Sequence, residues 1–183
     1  MTISVVLSFR NEEEVLEELI LRLDAVLGGQ SMDYELIFVN DDSNDGSLDI
    51  LTAARTENPR IKIINMSRRF GVAECLLAGI AQASGDAVVS MDADLQDPPE
   101  VIPEMLEKWR DGADVVYTVR TRRKGETPLK MWVTRWAYRA INASSEIDMP
   151  VNAGDFRLLS RRACDKLMEL REMDPYPRGL IPW

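Results

Sequence analysis

Histidine is missing from all 183 residues, and its absence removes at once the commonest general base and the commonest ligand of transition metals. Any acid or base work therefore falls to carboxylates. Cysteine is scarce: Cys75 and Cys164 cannot make a disulfide framework, and both sit in helical apolar patterns that suit a buried, reduced thiol. No stretch reaches the roughly 18 consecutive apolar residues of a membrane-spanning helix, and no charged-then-apolar leader opens the chain, so a soluble, cytoplasmic fragment is expected. Positive charge is short in the first two thirds. Residues 1–119 carry 23 acidic and 9 basic side chains (net −14), whereas 120–183 carry 8 and 13 (net +5). The acidic part argues against nucleic acid as a partner, and the basic part suits anionic phosphates or an anionic membrane surface.

What is present is an ordinary globular composition, 45% hydrophobic and 29% charged, enough for one sizeable core and one domain over 1–183. Strand and helix signals alternate along it. Ile3 to Phe9 is a continuous apolar strand, and Asn11 with Glu12, Glu13 and Glu14 is expected to start a helix whose apolar face is Val15, Leu16, Leu19, Ile20, Leu23 and Leu27. Gly28 and Gly29 stop it. Tyr34 to Asn40 is a second strand, Asp45-Gly46-Ser47 opens a helix to about Glu57, and Ile61 to Asn65 is a third strand. Gly71 to Ala83 (helix), Ala87 to Met91 (strand), Pro99 to Arg110 (helix) and Val115 to Val119 (strand) follow. Repeated βα units predict an α/β fold with a mostly parallel, Rossmann-like sheet and helices on both faces. Beyond Arg120 come a polar loop at 122–126, an amphipathic helix from Pro128 to about Ala143, a strand from Ala153 to Leu159 and a helix from Arg161 to Leu170. No internal repeat or low-complexity tract is found.

The polar residues gather at strand ends: Ser8-Phe9-Arg10-Asn11-Glu12, Asn40-Asp41-Asp42-Ser43-Asn44-Asp45-Gly46, and Asp92-Ala93-Asp94-Leu95-Gln96-Asp97. In a parallel sheet these ends share one edge, where ligands bind. Carboxylates at the first two ends suit the hydroxyl and amine donors of a ribose or base, and the third suits a hard cation that also grips a diphosphate. Each segment read alone is also compatible with a plain capped turn, since Asp, Asn and Pro are turn formers.

Taken together, these segments resemble family-2 glycosyltransferases of the GT-A fold. Val39 to Asp45 is similar to that family's Val-Asp-Asp-Gly-Ser-x-Asp segment, and Asp92 to Pro99 is similar to its metal-binding Asp-x-Asp loop. Ser67-Arg68-Arg69-Phe70-Gly71, Gly85-Asp86, Val115-Val116-Tyr117 with Arg120, and Ala153 to Leu158 resemble the subgroup that includes dolichol-phosphate mannose synthase and bacterial polyprenyl-phosphate glycosyltransferases. Three places depart from the pattern, one of them Met131, which stands near where a basic residue is expected after Lys130. Ser8-Phe9-Arg10 stands where the family has Pro-x-Tyr, and Asn40 and Asp42 stand where Asp and Gly are usual.

The resemblance implies an inverting transfer of a sugar from a nucleotide donor, a UDP- or GDP-sugar, to a polyprenyl phosphate, assisted by Mg2+ or Mn2+. It implies a nucleotide and metal half (1–119) and an acceptor-side half (120–183). Metal ligation is expected from Asp92, Asp94 and Gln96, with Asp155 and Asp94 in the catalytic roles. Donor contacts are expected from Ser8, Arg10, Glu12, Asn40, Asp41, Arg68, Asp92 and Arg120, and acceptor-phosphate contacts from Lys130, Arg139 and Arg157. Asp155 is left open between a base and a residue that orients Arg157 and the acceptor. Arg122, Arg123, Lys124, Arg135 and Arg139, interleaved with Trp132, Trp136 and Tyr138, suit a membrane surface. Members of this subgroup continue into interfacial and transmembrane helices, so a longer protein working at the cytoplasmic membrane face is expected, with self-association left open. Two alternatives stand beside this reading: the same fold acting on a sugar hydroxyl, and a non-catalytic nucleotide-sugar-binding scaffold.

Overall fold

In the computed structural model, residues 1–119, 153–170 and 180–181 are described. Six strands form one sheet: β1 (Thr2–Phe9), β2 (Asp33–Asn40), β3 (Ile61–Asn65), β4 (Ala87–Asp92), β5 (Val115–Val119) and β6 (Ala153–Ser160). Their order is β3-β2-β1-β4-β6-β5. The four strands β3, β2, β1 and β4 are parallel, and β6 lies antiparallel between β4 and β5. The expected mostly parallel sheet is therefore present, with one reversed strand.

The helices are α1 (Leu16–Gly28), α2 (Ser47–Glu57), α3 (Val72–Gln82), α4 (Ile102–Arg110, after a single 3-10 turn at Pro99–Val101) and α5 (Arg161–Glu169). Right-handed crossovers put α1 and α2 on one face as the chain steps from β1 to β3, and α3 on the other as it returns to β4. Side-chain alternation follows. Ile3, Val5, Leu7, Leu36, Phe38, Val89 and Met91 pack with Leu16, Leu19 and Leu23 of α1, Leu51 of α2 and Leu106 of α4. Val6, Ile37, Val39 and Val88 pack with Cys75, Leu76 and Ile80 of α3 and Cys164 and Leu167 of α5. Each fully buried aliphatic side chain contributes about 1.5 to 3 kcal/mol. The central strands are continuous apolar runs because both of their faces are covered.

Gly79 lets α3 approach the sheet: a Cβ there would run into the side chains of Val6 and Val39. Both cysteines are buried free thiols. Burial pushes Cys75 up to about 12, with Asp41 adding to the effect, and pushes Cys164 up to about 11.

The start of α1 corrects one expectation. Asn11 to Glu14 do not begin the helix, which opens at Leu16; Asn11 has φ +58° and turns the chain toward the loop after β2. The acidic triplet looked like a helix cap because the cross-loop bonds that claim it come from residues more than 30 positions away.

The end of the sheet away from the polar strand ends is pinned by Glu35, only 6% exposed. Its Oε1 accepts from Ser4 Oγ (2.6 Å), Ser84 N–H (2.7 Å) and Ser84 Oγ (3.0 Å), and its Oε2 pairs with Lys62 Nζ (2.5 Å). These contacts fix the turn that launches β4.

Candidate active site

The parallel strands β1, β2 and β4 finish on one edge, and just beyond each end a non-glycine residue turns left-handed: Asn11 (φ +58°), Asp42 (φ +59°) and Leu95 (φ +58°). Such turns cost energy, most of all for a bulky residue such as Leu95, and they reverse the chain so that polar side chains face the crevice. The first two loops are laced together. Asn11 N–H donates to Ser43 Oγ (3.1 Å), Asn44 N–H to Asn11 Oδ1 (2.9 Å), Glu12 N–H to Ser47 Oγ (2.9 Å) and Gly46 N–H to Glu13 Oε2 (2.6 Å).

Between the strand ends lies a cavity of about 210 Å³ lined by Ser8, Phe9, Arg10, Glu12, Asp41, Val72, Asp92, Ala93 and Asp94. Six of the residues singled out from the sequence thus meet on one wall: Ser8, Arg10, Glu12, Asp41, Asp92 and Asp94. Ser8 Oγ donates to Asp92 Oδ1 at 3.0 Å, and Asp94 Oδ1 accepts from the Gln96 N–H at 3.0 Å. Burial raises the Asp92 carboxyl above its ordinary range against the pull of Ser8, and the neighbouring charges of Asp155, Asp94 and Asp97 raise it further. Burial also raises Glu12, followed by Asp94, Asp45 and Asp92. The edge therefore concentrates negative charge in a partly desolvated place. Among the described residues no group of three or more carboxylates or thiols is drawn together to hold a metal ion.

Asp155 reaches this edge through β6. Because β6 is antiparallel, its first residues lie beside the last residues of β4: Ser90 pairs with Arg157, and Ser90 Oγ donates to the Asp155 carbonyl at 2.9 Å. Arg157, only 2% exposed, donates through Nη2 to Asp155 Oδ1 (3.0 Å) and to the Gly154 carbonyl (3.1 Å), and its guanidinium lies 5.8 Å from the Tyr117 ring centroid.

Other expected residues are elsewhere. Asn40 donates to Asn65 Oδ1 (3.1 Å) and accepts from the Ser43 N–H (2.9 Å), so it ties β2 to β3 and shapes the turn. Arg68 is exposed and stacks over the Phe70 ring at 4.1 Å. Gln96 is exposed and reaches Asp94 through its main chain. Arg120, Lys130 and Arg139, and the amphipathic helix expected from Pro128 to Ala143, lie outside the described residues. Asp41 lines the cavity but also accepts the N–H groups of Phe70 (2.7 Å) and Gly71 (3.0 Å), clamping the start of α3. Gly71 takes φ +110°, which glycine alone adopts without strain. Phe9 and Val72 supply apolar lining, a role that no motif in the sequence assigns to them. Phe9 reads as core, and Val72 borders the cavity only because Asp41 holds this loop in place.

The family model for Glycosyl transferase family 2 matches residues 4–168. The chain belongs to that family. It is 47% identical over 180 residues to an uncharacterized glycosyltransferase, YkcC, of Bacillus subtilis (strain 168), covering 98% of this chain and 56% of that protein. It is 36% identical over 183 residues to the bactoprenol glucosyl transferase of Shigella phage SfV, covering 100% of this chain and 60% of that protein. Among solved structures, glucosyl-3-phosphoglycerate synthase from Mycobacterium tuberculosis in complex with UDP is similar at TM-score 0.61 and 25% identity, over 88% of this chain and 57% of that one. The chain thus spans little more than half the length of these proteins. The six-stranded α/β sheet is the GT-A architecture that the strand-end motifs implied.

Proposed function

We propose that this chain is the donor-binding part of a glycosyltransferase that moves a sugar, with inversion, from a nucleoside diphosphate to a polyprenyl phosphate at a membrane surface. The observation that carries the reading is the meeting of Asp92, Asp94, Glu12 and Asp41 around one cavity, with β6 bringing Asp155 to the same edge. The likeness to a bactoprenol glucosyl transferase supports the acceptor class, and the likeness to a UDP-bound synthase supports the donor class.

The residues fit a divalent cation. Asp92 and Asp94 offer hard oxygen ligands in a place with excess negative charge, and Mg2+ in nucleotide sites is ordinarily held by one or two carboxylates with the substrate's phosphates and water. When bound, Mg2+ or Mn2+ neutralises the charge that grows on the departing diphosphate. Glu12 and Asp41 suit the nucleoside's hydroxyl and amine donors. In the transfer an acceptor oxygen bonds to the anomeric carbon as the bond from that carbon to the diphosphate breaks, and the bonding pair leaves with the nucleoside diphosphate.

A phosphate monoester has its second pKa near 6 and is mostly dianionic at neutral pH, so it attacks without a base. A chain lacking histidine suits such an acceptor. Asp155, paired with buried Arg157, is then an orienting group beside the acceptor, whose phosphate contacts are assigned to Lys130, Arg139 and Arg157.

Calorimetric titration with UDP, GDP and their sugar conjugates, with Mn2+ or Mg2+ and again with chelator, tests the reading. One nucleotide should bind in a metal-dependent way, and Asp94→Asn should weaken it at least tenfold, as loss of a metal-site group typically does. Binding of no nucleotide, or no effect of Asp94→Asn, overturns it. Metal-independent binding without sugar release favours the scaffold alternative, and transfer to sugar hydroxyls alone favours the other.

A further inference from the structure

Position 8 is where the resembling family carries proline, which has no side-chain donor; here it is serine, only 5% exposed. Parallel pairing of β1 with β4 sets Ser8 directly beside Asp92, and the Ser8 hydroxyl donates to Asp92 Oδ1 at 3.0 Å. The same carboxylate feels the charges of Asp155, Asp94 and Asp97. Mutual repulsion favours rotamers that separate the charges, and an attractive contact to the carboxylate opposes that drift. Ser8 supplies that contact from a rigid central strand, where hydroxyl and carboxylate make a charge-assisted bond.

We propose that Ser8 is a positioning residue for Asp92: its hydroxyl, hydrogen-bonded to Oδ1, holds the carboxylate in the orientation in which it would meet the cation of the donor's diphosphate. This rests on the reading of Asp92 as a ligand of that cation. On the same edge Ser90 Oγ of β4 holds the Asp155 carbonyl of β6.

The test is Mn2+ affinity, read from the electron paramagnetic resonance of free Mn2+, in the presence of UDP or GDP, whichever the unaltered protein binds. Ser8→Ala should lose about 10- to 100-fold in Mn2+ affinity, the range found when a group orienting a metal ligand is removed. The isosteric pair Ser8→Thr and Ser8→Val reads the hydroxyl itself: Thr should stay within about threefold of the unaltered protein while Val falls with Ala. In a double-mutant cycle, Ser8→Ala should cost nothing further once Asp92→Asn is in place.

Equal losses in Thr and Val, unchanged affinity in Ala, or an undiminished loss on the Asp92→Asn background would each overturn the inference while leaving the proposed function standing. An unaltered protein that binds neither UDP nor GDP in the presence of Mn2+ or Mg2+ overturns both.

Discussion

Glu35→Gln replaces a buried charge with a neutral group of the same shape, and its effect follows from the network at the base of the sheet. Burial works against ionisation of Glu35, but Lys62, Ser4 and Ser84 outweigh it and hold the carboxyl at about 2, against an ordinary 4.5. By linkage that difference corresponds to about 3 kcal/mol of stability at neutral pH, reduced to about 2 kcal/mol because Lys62 is half exposed and its share is screened. The folded value lies below the unfolded one, so this contribution is complete above about pH 4.5 and fades as pH falls toward about 2. Glutamine keeps an oxygen for Ser4 and Ser84 but turns an amide donor toward Lys62.

Urea denaturation of both proteins from pH 7 down to pH 3 checks this. At pH 7 the variant should be less stable by about 2 kcal/mol, or about 4 to 8 °C in melting temperature for a domain of this size. The gap should narrow below about pH 4.5. All other carboxylates are common to the two proteins and cancel in the difference. A variant as stable as the parent at pH 7, or a gap of constant size down to pH 3, refutes the reasoning.

Removing the Asp41 clamp by Asp41→Ala leaves the Phe70 and Gly71 amides without their acceptor; these two amides should exchange hydrogen faster and the domain should lose about 1 to 3 kcal/mol, and unchanged exchange refutes the clamp. Gly79→Ala forces a methyl into Val6 and Val39 and should cost about 1 to 3 kcal/mol in denaturant unfolding, whereas an unchanged midpoint means that α3 shifts freely. Asp42→Gly relieves a left-handed residue and should raise stability by about 0.5 kcal/mol, the strain removed slightly exceeding glycine's added unfolded-state entropy; a loss in thermal melting shows that the aspartate side chain holds this turn.

The architecture was readable because it is written locally. The short, β-branched apolar runs at Ile3 to Phe9, Tyr34 to Asn40 and Ala87 to Met91 suit strands buried on both faces, and the 3.6-residue repeat from Leu16 to Leu27 suits a helix covering one of those faces. Parallel strands joined by helices must finish on one edge, so Asp41, Asp92 and Asp94 could be assigned to a common crevice from their positions alone. The sequence also showed that, within this chain, any acid or base work falls to carboxylates, since histidine is missing.

Tertiary structure decided which polar residues face the crevice and which hold it together. Asn40, Asp45 and Glu13 have the same composition signal as Glu12 and Asp92, yet their partners are backbone and side-chain groups of other loops, set by pairings more than 20 residues apart. Asp155 joins Asp92 only because β6 enters the sheet in reverse between β4 and β5, an arrangement that no local pattern encodes. Glu35 is buried because Ser4, Ser84 and Lys62 close around it, and strand register sets Ser8 against Asp92. Periodicity fixes which face a side chain takes, whereas the partner it meets there comes from the far end of the chain.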